Sequence, residues 1–236
     1  MKKINKRLTI ITNAILSILL VVVVSVAFIP TAIAPSYGGI DIEPKYNGNT
    51  QKKRVSIMVN VYENSKIVKE MVNVFNNYNA TATFFVGGCW ADDNGKTLEY
   101  INSNGHEIGN HGYFHKDHKR LNYDQNEQEI RLTEVMVKAL VGIKPNLFAP
   151  PSGSFSNTTL QVAEQLGYTV IMWSKDTIDW RDNDKDLIYK RATKNASNGD
   201  LILMHPKEHS LAVLPKIIEF YQQNGFEVVS VSENLS

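Results

Sequence analysis

From residue 55 to residue 231, short apolar runs rich in β-formers alternate with longer amphipathic stretches, and this alternation leaves few folds open. The apolar runs fall at 55–61, 81–86, 106–111, 146–150, 169–174, 200–205 and 226–231. Between them, 66–78, 97–104, 125–141, 156–166, 184–195 and 211–224 carry apolar residues at helical spacing. Strand and helix in turn predict parallel strands joined by helical crossovers, since antiparallel neighbours would be joined by tight turns. The expectation is an α/β domain, a distorted (β/α) barrel of about seven parallel strands; an open doubly wound sheet fits the same alternation.

The N-terminal part reads differently. Lys2, Lys3, Lys6 and Arg7 precede an uncharged run from Leu8 to Ile29. At a helical rise of about 1.5 Å per residue the run reaches roughly 33 Å, enough for a bilayer core and longer than the apolar cores of cleaved signal peptides. Residues 1–34 are therefore expected to form a hydrophobic anchor, with cleavage after Ala32-Ile33-Ala34 as the alternative; Pro35 would make a poor new N-terminus. The basic flank puts the N-terminus in the cytoplasm and the rest outside, either membrane-anchored or secreted. Residues 35–53, rich in Gly, Pro, Asn and Lys, read as a linker, and 54–236 as the domain. With 25 basic and 24 acidic residues, no net field recommends nucleic acid as a partner. Cys89, the single cysteine, excludes an internal disulfide and a cysteine-based metal cluster, and is expected to be a buried small residue beside Trp90.

Unusual polar residues cluster where apolar runs end. Asn60, His111, Pro150-Pro151, Asp176 and His205 all stand there, the edge where parallel α/β folds carry their sites. His111 and His115 form an H-x-x-x-H pair whose spacing puts both imidazoles on one side of a helical turn; two unconnected loop histidines are the plain alternative. The glutamate of H-E-x-x-H is missing, so a zincin protease does not follow. His118 and His209 lack such geometry and read as exposed loop residues. Asp176 and His205 suggest an acid–imidazole couple, although a strand-end aspartate also serves as a turn or helix cap. Trp180 fits a core or the wall of a groove. In Phe148-Ala149-Pro150-Pro151-Ser152-Gly153-Ser154 the prolines fix the path, and Gly153 can take positive φ so that backbone N–H groups converge. Ser152 is not set in a G-x-S-x-G elbow.

In this order, and with 80–86 (A-T-A-T-F-F-V) and 105–111 (G-H-E-I-G-N-H), these clusters resemble the polysaccharide deacetylase family, the nodulation-protein homology domain of chitin and peptidoglycan deacetylases. The runs M-W-S-K-D-T-I-D-W and A-P-P-S-G-S look closest to its sporulation-associated branch. The resemblance implies a distorted (β/α) barrel and metal-dependent hydrolysis of an acetamido group. It implies that His111 and His115, with a first-strand aspartate, bind zinc or a related divalent ion. It implies that His205 protonates the leaving amine, that Asp179 tunes it, that Trp180 and Pro151 wall the groove, and that Leu203 lines the acetyl pocket. A backbone N–H near Ser152 would help hold the oxyanion.

The proton-accepting half departs from the pattern. The family's first strand ends T-F-D-D, base then metal ligand; here Asn60 and Val61 stand in those places, and Ala149 replaces an arginine that pairs with the base. A third ligand would have to come from the Asn60 amide oxygen or from Glu63. Two readings follow. One is a metal-dependent N-deacetylase of cell-wall amino sugars, peptidoglycan or chitin-like, with an altered base; the other is a catalytically silent glycan-binding protein on the same fold. The expected partners are a cell-wall glycan and, through the N-terminal segment, the membrane.

Overall fold

The computed structural model describes residues 42–236 together with Ile15 and Ser17, which are helical. The anchor or signal expected at 1–34 lies, but for those two residues, outside the described residues. Eight strands follow in chain order: β1 Arg54–Val61, β2 Thr83–Val86, β3 Glu107–Asn110, β4 Leu147–Phe148, β5 Thr169–Val170, β6 Lys175–Asp176, β7 Leu201–Met204 and β8 Glu227–Val228. The helices are α1 Ser65–Asn77, α2 Gly88–Asp93, α3 Gly95–Ser103, α4 Tyr123–Val141, α5 Asn157–Gln165, α6 Lys185–Thr193, α7 Glu208–Gln223 and α8 Val231–Leu235. All strand pairings are parallel, in the order β5-β4-β3-β2-β1-β7-β6, with β8 against the start of β1.

The central strand shows why the sheet curls around a core. Val55, Ile57, Val59 and Val61 face outward and pack with Val68, Val72 and Phe75 of α1 and with Ile217 and Ile218 of α7. Met58 faces inward onto Phe85, Ala149, Leu201 and Leu203, the filling of the barrel. Both faces are buried, so β1 reads as an almost unbroken apolar run, the mark of an interior parallel strand.

The stretch from Thr169 to Asp176 decides between barrel and open sheet. It starts on β4, where the Ile171 N–H donates to the Phe148 carbonyl at 2.8 Å, and ends on β7, where the Ser174 N–H donates to the Leu201 carbonyl at 3.0 Å. One segment thus joins both edges, and the curled barrel is the architecture. The single strand expected at 169–174 breaks because the Met172 N–H turns away to the Lys45 carbonyl at 2.8 Å.

That contact also revises the expected linker. Lys45 bridges to Ile171 and Asn47 to Asp200, and the Asn49 N–H donates to the Asn234 carbonyl at 2.6 Å. The chain is therefore part of the compact domain from Ile42 onward. Cys89, in α2, is half-buried rather than buried; its neighbour Trp90 is buried as expected.

Candidate functional site

The C-terminal ends of β1, β3, β6 and β7 open onto a groove of about 710 Å³. Of the residues singled out above, Asn60, Glu63, His111, His115, Ser152, Asp176, Trp180, Leu203 and His205 line it. Asp179 stands behind His205, and Pro151 is buried beneath the Ser152 turn.

One wall is densely bonded. The His205 Nδ1–H donates to Asp179 Oδ1 at 2.7 Å and the His205 backbone N–H to Oδ2 at 2.7 Å. The Ser210 hydroxyl also donates to Oδ2, at 2.5 Å, and the His209 Nε2–H reaches the Asp179 carbonyl at 2.8 Å. Burial alone would push the Asp179 carboxyl up; the hydrogen bond and charge of His205, then the Ser210 hydroxyl, outweigh it and hold the carboxyl below its ordinary range. His205 keeps one orientation, with Nδ1 committed. The acid of the couple is thus Asp179. Asp176 lines the groove but acts as a turn cap, accepting the Ile178 N–H at 2.8 Å, where Ile178 has a φ of 54°. His209 is half-buried and bonded, not an exposed loop residue.

The facing wall has fewer partners. Asn60 is buried, and its Oδ1 accepts no hydrogen bond. Val61 turns away into the outer core, and Ala149 is fully buried in the inner one. The His111 Nδ1–H donates to the Ala149 carbonyl at 2.7 Å, which leaves Nε2 as the free lone pair. Burial, then the charge of His115, push His111 down to about 3; burial likewise lowers His115. The two rings lie 5.2 Å apart, centroid to centroid. They do not share a helical turn as expected, because the loop bends through positive φ at Gly112 (72°) and His115 (54°).

A resident divalent ion needs more than this wall offers. Among the described residues no third His, Cys, Asp or Glu joins His111 and His115. Glu63 is on the groove but paired with Lys207, and Asn60 brings only a neutral amide oxygen. Two imidazoles and an amide, without a carboxylate, do not fit the donor set that the family resemblance implies.

Two supports of this wall escaped the sequence reading. Glu129 of α4, 2% exposed, accepts the N–H groups of Tyr113 and Phe114 at 2.9 and 2.8 Å and pairs with Lys116 at 3.2 Å, pinning the loop that carries His115. His118, expected to be exposed, is fully buried, and its Nδ1–H donates to Asn126 Oδ1 at 2.8 Å. Both acceptors lie on the inward stripe of α4 with Ile130, Thr133 and Val137. Polar residues on an apolar stripe were the available signal. In the proline turn, Ser152 (φ 55°) as well as Gly153 (64°) is left-handed. The Gly153 and Ser154 N–H groups donate within the turn, so the Ser152 amide is the one left without an internal acceptor.

The curled parallel barrel thus carries an imidazole pair and an aspartate–histidine couple at its strand ends. The sequence profile of the polysaccharide deacetylases matches residues 47–171, more than half of the chain, and the chain belongs to that family. It is 30% identical over 194 residues to the peptidoglycan-N-acetylmuramic acid deacetylase PdaA of Bacillus subtilis, covering 80% of this chain and 73% of that one. It is 32% identical over 191 residues to the uncharacterized Bacillus subtilis protein YlxY, covering 81% of this chain but only 60% of that one. Among solved structures, wild-type BA3943 of Bacillus anthracis, described as a pseudoenzyme of carbohydrate esterase family 4, superposes with a TM-score of 0.81 at 30% identity, covering 84% of this chain and 70% of that one. A BA3943 mutant described as having restored enzymatic activity superposes with the same TM-score at 28% identity, covering 84% of this chain and 72% of that one.

Proposed function

We propose that this chain holds N-acetylated cell-wall glycan in the groove without turning it over as an intact deacetylase would. The observation that carries this reading is Asn60: a buried amide stands where the family places its base and, among the described residues, no carboxylate forms a ligand group with His111 and His115. An amide cannot take a proton near neutrality, and loss of general-base assistance alone costs about 10²–10⁴-fold. The likeness to a pseudoenzyme of the same family supports it.

The remaining machinery is that of a binding site. His205 presents its free ring edge to the groove, oriented by Asp179. Leu203 offers an apolar contact for an acetyl methyl, and the Ser152 amide is a donor for an acetyl oxygen. The hydrophobic run at 8–29 would hold the domain on the outer face of a membrane, within reach of wall glycan.

The intact His205–Asp179 couple supports a second reading, slow deacetylation with His205 as the proton donor to the departing amine. Acetate release from peptidoglycan and from N-acetylglucosamine oligomers, with several divalent ions supplied, separates the two. The expected result is glycan binding by the parent with acetate release no faster than in His205→Ala. Ion-dependent release that disappears in His205→Ala and His111→Ala would establish the enzyme.

A further inference from the structure

The distribution of exposed aromatic rings extends beyond the acetyl-binding centre. Among the described residues seven large hydrophobic side chains are exposed, and three of them, Tyr62, Phe114 and Trp180, line this single groove. Isolated exposed hydrophobics are ordinary, whereas their convergence on one concave surface marks a contact site.

Phe114, 51% exposed, is held outward. Its N–H is fixed on Glu129, the Tyr113 ring stands edge-on against it at 4.7 Å, and the Lys116 ammonium lies 5.0 Å from its centroid. Tyr113 in turn fits closely over Gly88, where an added Cβ would come within 2.2 Å of its ring. Trp180, 56% exposed, is built alike, with the Arg181 guanidinium 5.8 Å from its ring.

The two rings come from the loops after β3 and β6. Those strands are four steps apart in the sheet, with Asn60 of β1 and His205 after β7 between them. At about 4.8 Å per step this is roughly 19 Å along the sheet, and less across the curl. An occupant that touches both rings therefore bridges two separate loops of the groove rim. It must also present apolar faces to the aromatic rings and hydrogen-bonding edges to the polar centre, as a pyranose chain does with its C–H faces and hydroxyl rims.

We propose that Phe114 is a second stacking platform, opposite Trp180, and that the groove takes a chain of N-acetylated sugars lying across both rings. This inference rests on the glycan-binding reading above. It is tested by equilibrium binding of N-acetylglucosamine dimer and pentamer to the full-length chain, its Phe114→Ala variant and its Phe114→Trp variant. The pentamer should bind the parent about tenfold more tightly than the dimer, a gap of about 1.4 kcal/mol. Phe114→Ala should remove that advantage and leave dimer binding unchanged, and Phe114→Trp should restore it. Equal pentamer binding by the parent and Phe114→Ala would overturn the inference while the glycan-binding reading stood. If neither oligomer binds the parent, both fall together.

Discussion

The two walls of the groove are built to different standards. On the β6–β7 side, the Asp179 carboxylate takes three hydrogen bonds, two from His205 and one from Ser210. On the β1 side, Asn60 Oδ1 takes none, and the neighbouring places hold Val61 and Ala149. A buried charge is costly without its partners, so removing one member of an ion-paired wall destabilises what is left. On the β1 wall Asn60, Val61 and Ala149 are all uncharged. The β6–β7 wall carries a complete hydrogen-bonded set around Asp179, which fixes His205 in place. Local electrostatics allows either wall to be complete or fully neutral, and this chain has one of each.

The largest expected effect is at Val61. Its side chain lies in the outer core, so Val61→Asp buries a carboxylate without a partner and should cost about 4 kcal/mol or more at neutral pH, read as a lower urea midpoint. A variant as stable as the parent would mean that residue 61 turns into the groove, and the contrast between the walls would narrow to one side chain. Asp179→Ala attacks the opposite wall. Three donors lose their acceptor, an expected loss of about 3 kcal/mol, or roughly 6–12 °C in Tm for a domain of this size. Because the Asp179 carboxyl is held below its ordinary range, the pair's contribution is complete above that range and disappears as pH falls through the lowered value. The gap between parent and variant should therefore be widest near neutrality and close in strong acid; a gap independent of pH would show that packing, not the charge, is what Asp179 supplies.

Asn60→Asp sharpens the comparison by restoring one charge. The new carboxylate would share the groove with His111 and His115 and complete a set of two imidazoles and an acid. Zinc at a hundredfold excess over its dissociation constant should then stabilise the variant by about 2.7 kcal/mol, with no shift in the parent. An equal shift in the parent would show that the amide oxygen suffices as a ligand.

How much of this was legible in the sequence depended on how locally each feature is determined. The parallel sheet follows from the alternation of apolar runs with amphipathic stretches, because strands such as β1 and β7, buried on both faces, are written into consecutive apolar residues. The groove residues at strand ends followed from the same alternation, and the Asp179–His205 couple came from resemblance, since Asp176 stands nearer to the strand end. The role of residues 42–53 was not legible, because their hydrogen bonds go to Val170, Met172, Gly199 and Asn234, far along the chain. Nor was the crossing between β5 and β6, which depends on that same edge. The bend that joins His111 to His115 needs positive φ at a histidine, a conformation that side-chain type alone rarely announces.

Glu129 offers the finest test of the β1 wall, because its two functions can be separated. Through Oε2 it accepts two backbone N–H groups from the loop carrying His115, and through Oε1 it pairs with Lys116, whose side chain is 47% exposed. A glutamine keeps an oxygen for the amides and gives up only the pair, and a half-exposed ion pair is worth about 1 kcal/mol or less. Alanine gives up both and leaves two N–H groups without an acceptor, a loss of about 2–3 kcal/mol. Glu129→Gln should therefore stay close to the parent both in Tm and in affinity for N-acetylglucosamine pentamer, whereas Glu129→Ala should lose affinity through Phe114 and His115 as the loop loosens. Equal weakening by the two variants would mean that the charge on Glu129 holds this loop. In that case the β1 wall, neutral at its surface, would depend on a buried ion just as the Asp179 wall does, and the contrast between them would be one of depth.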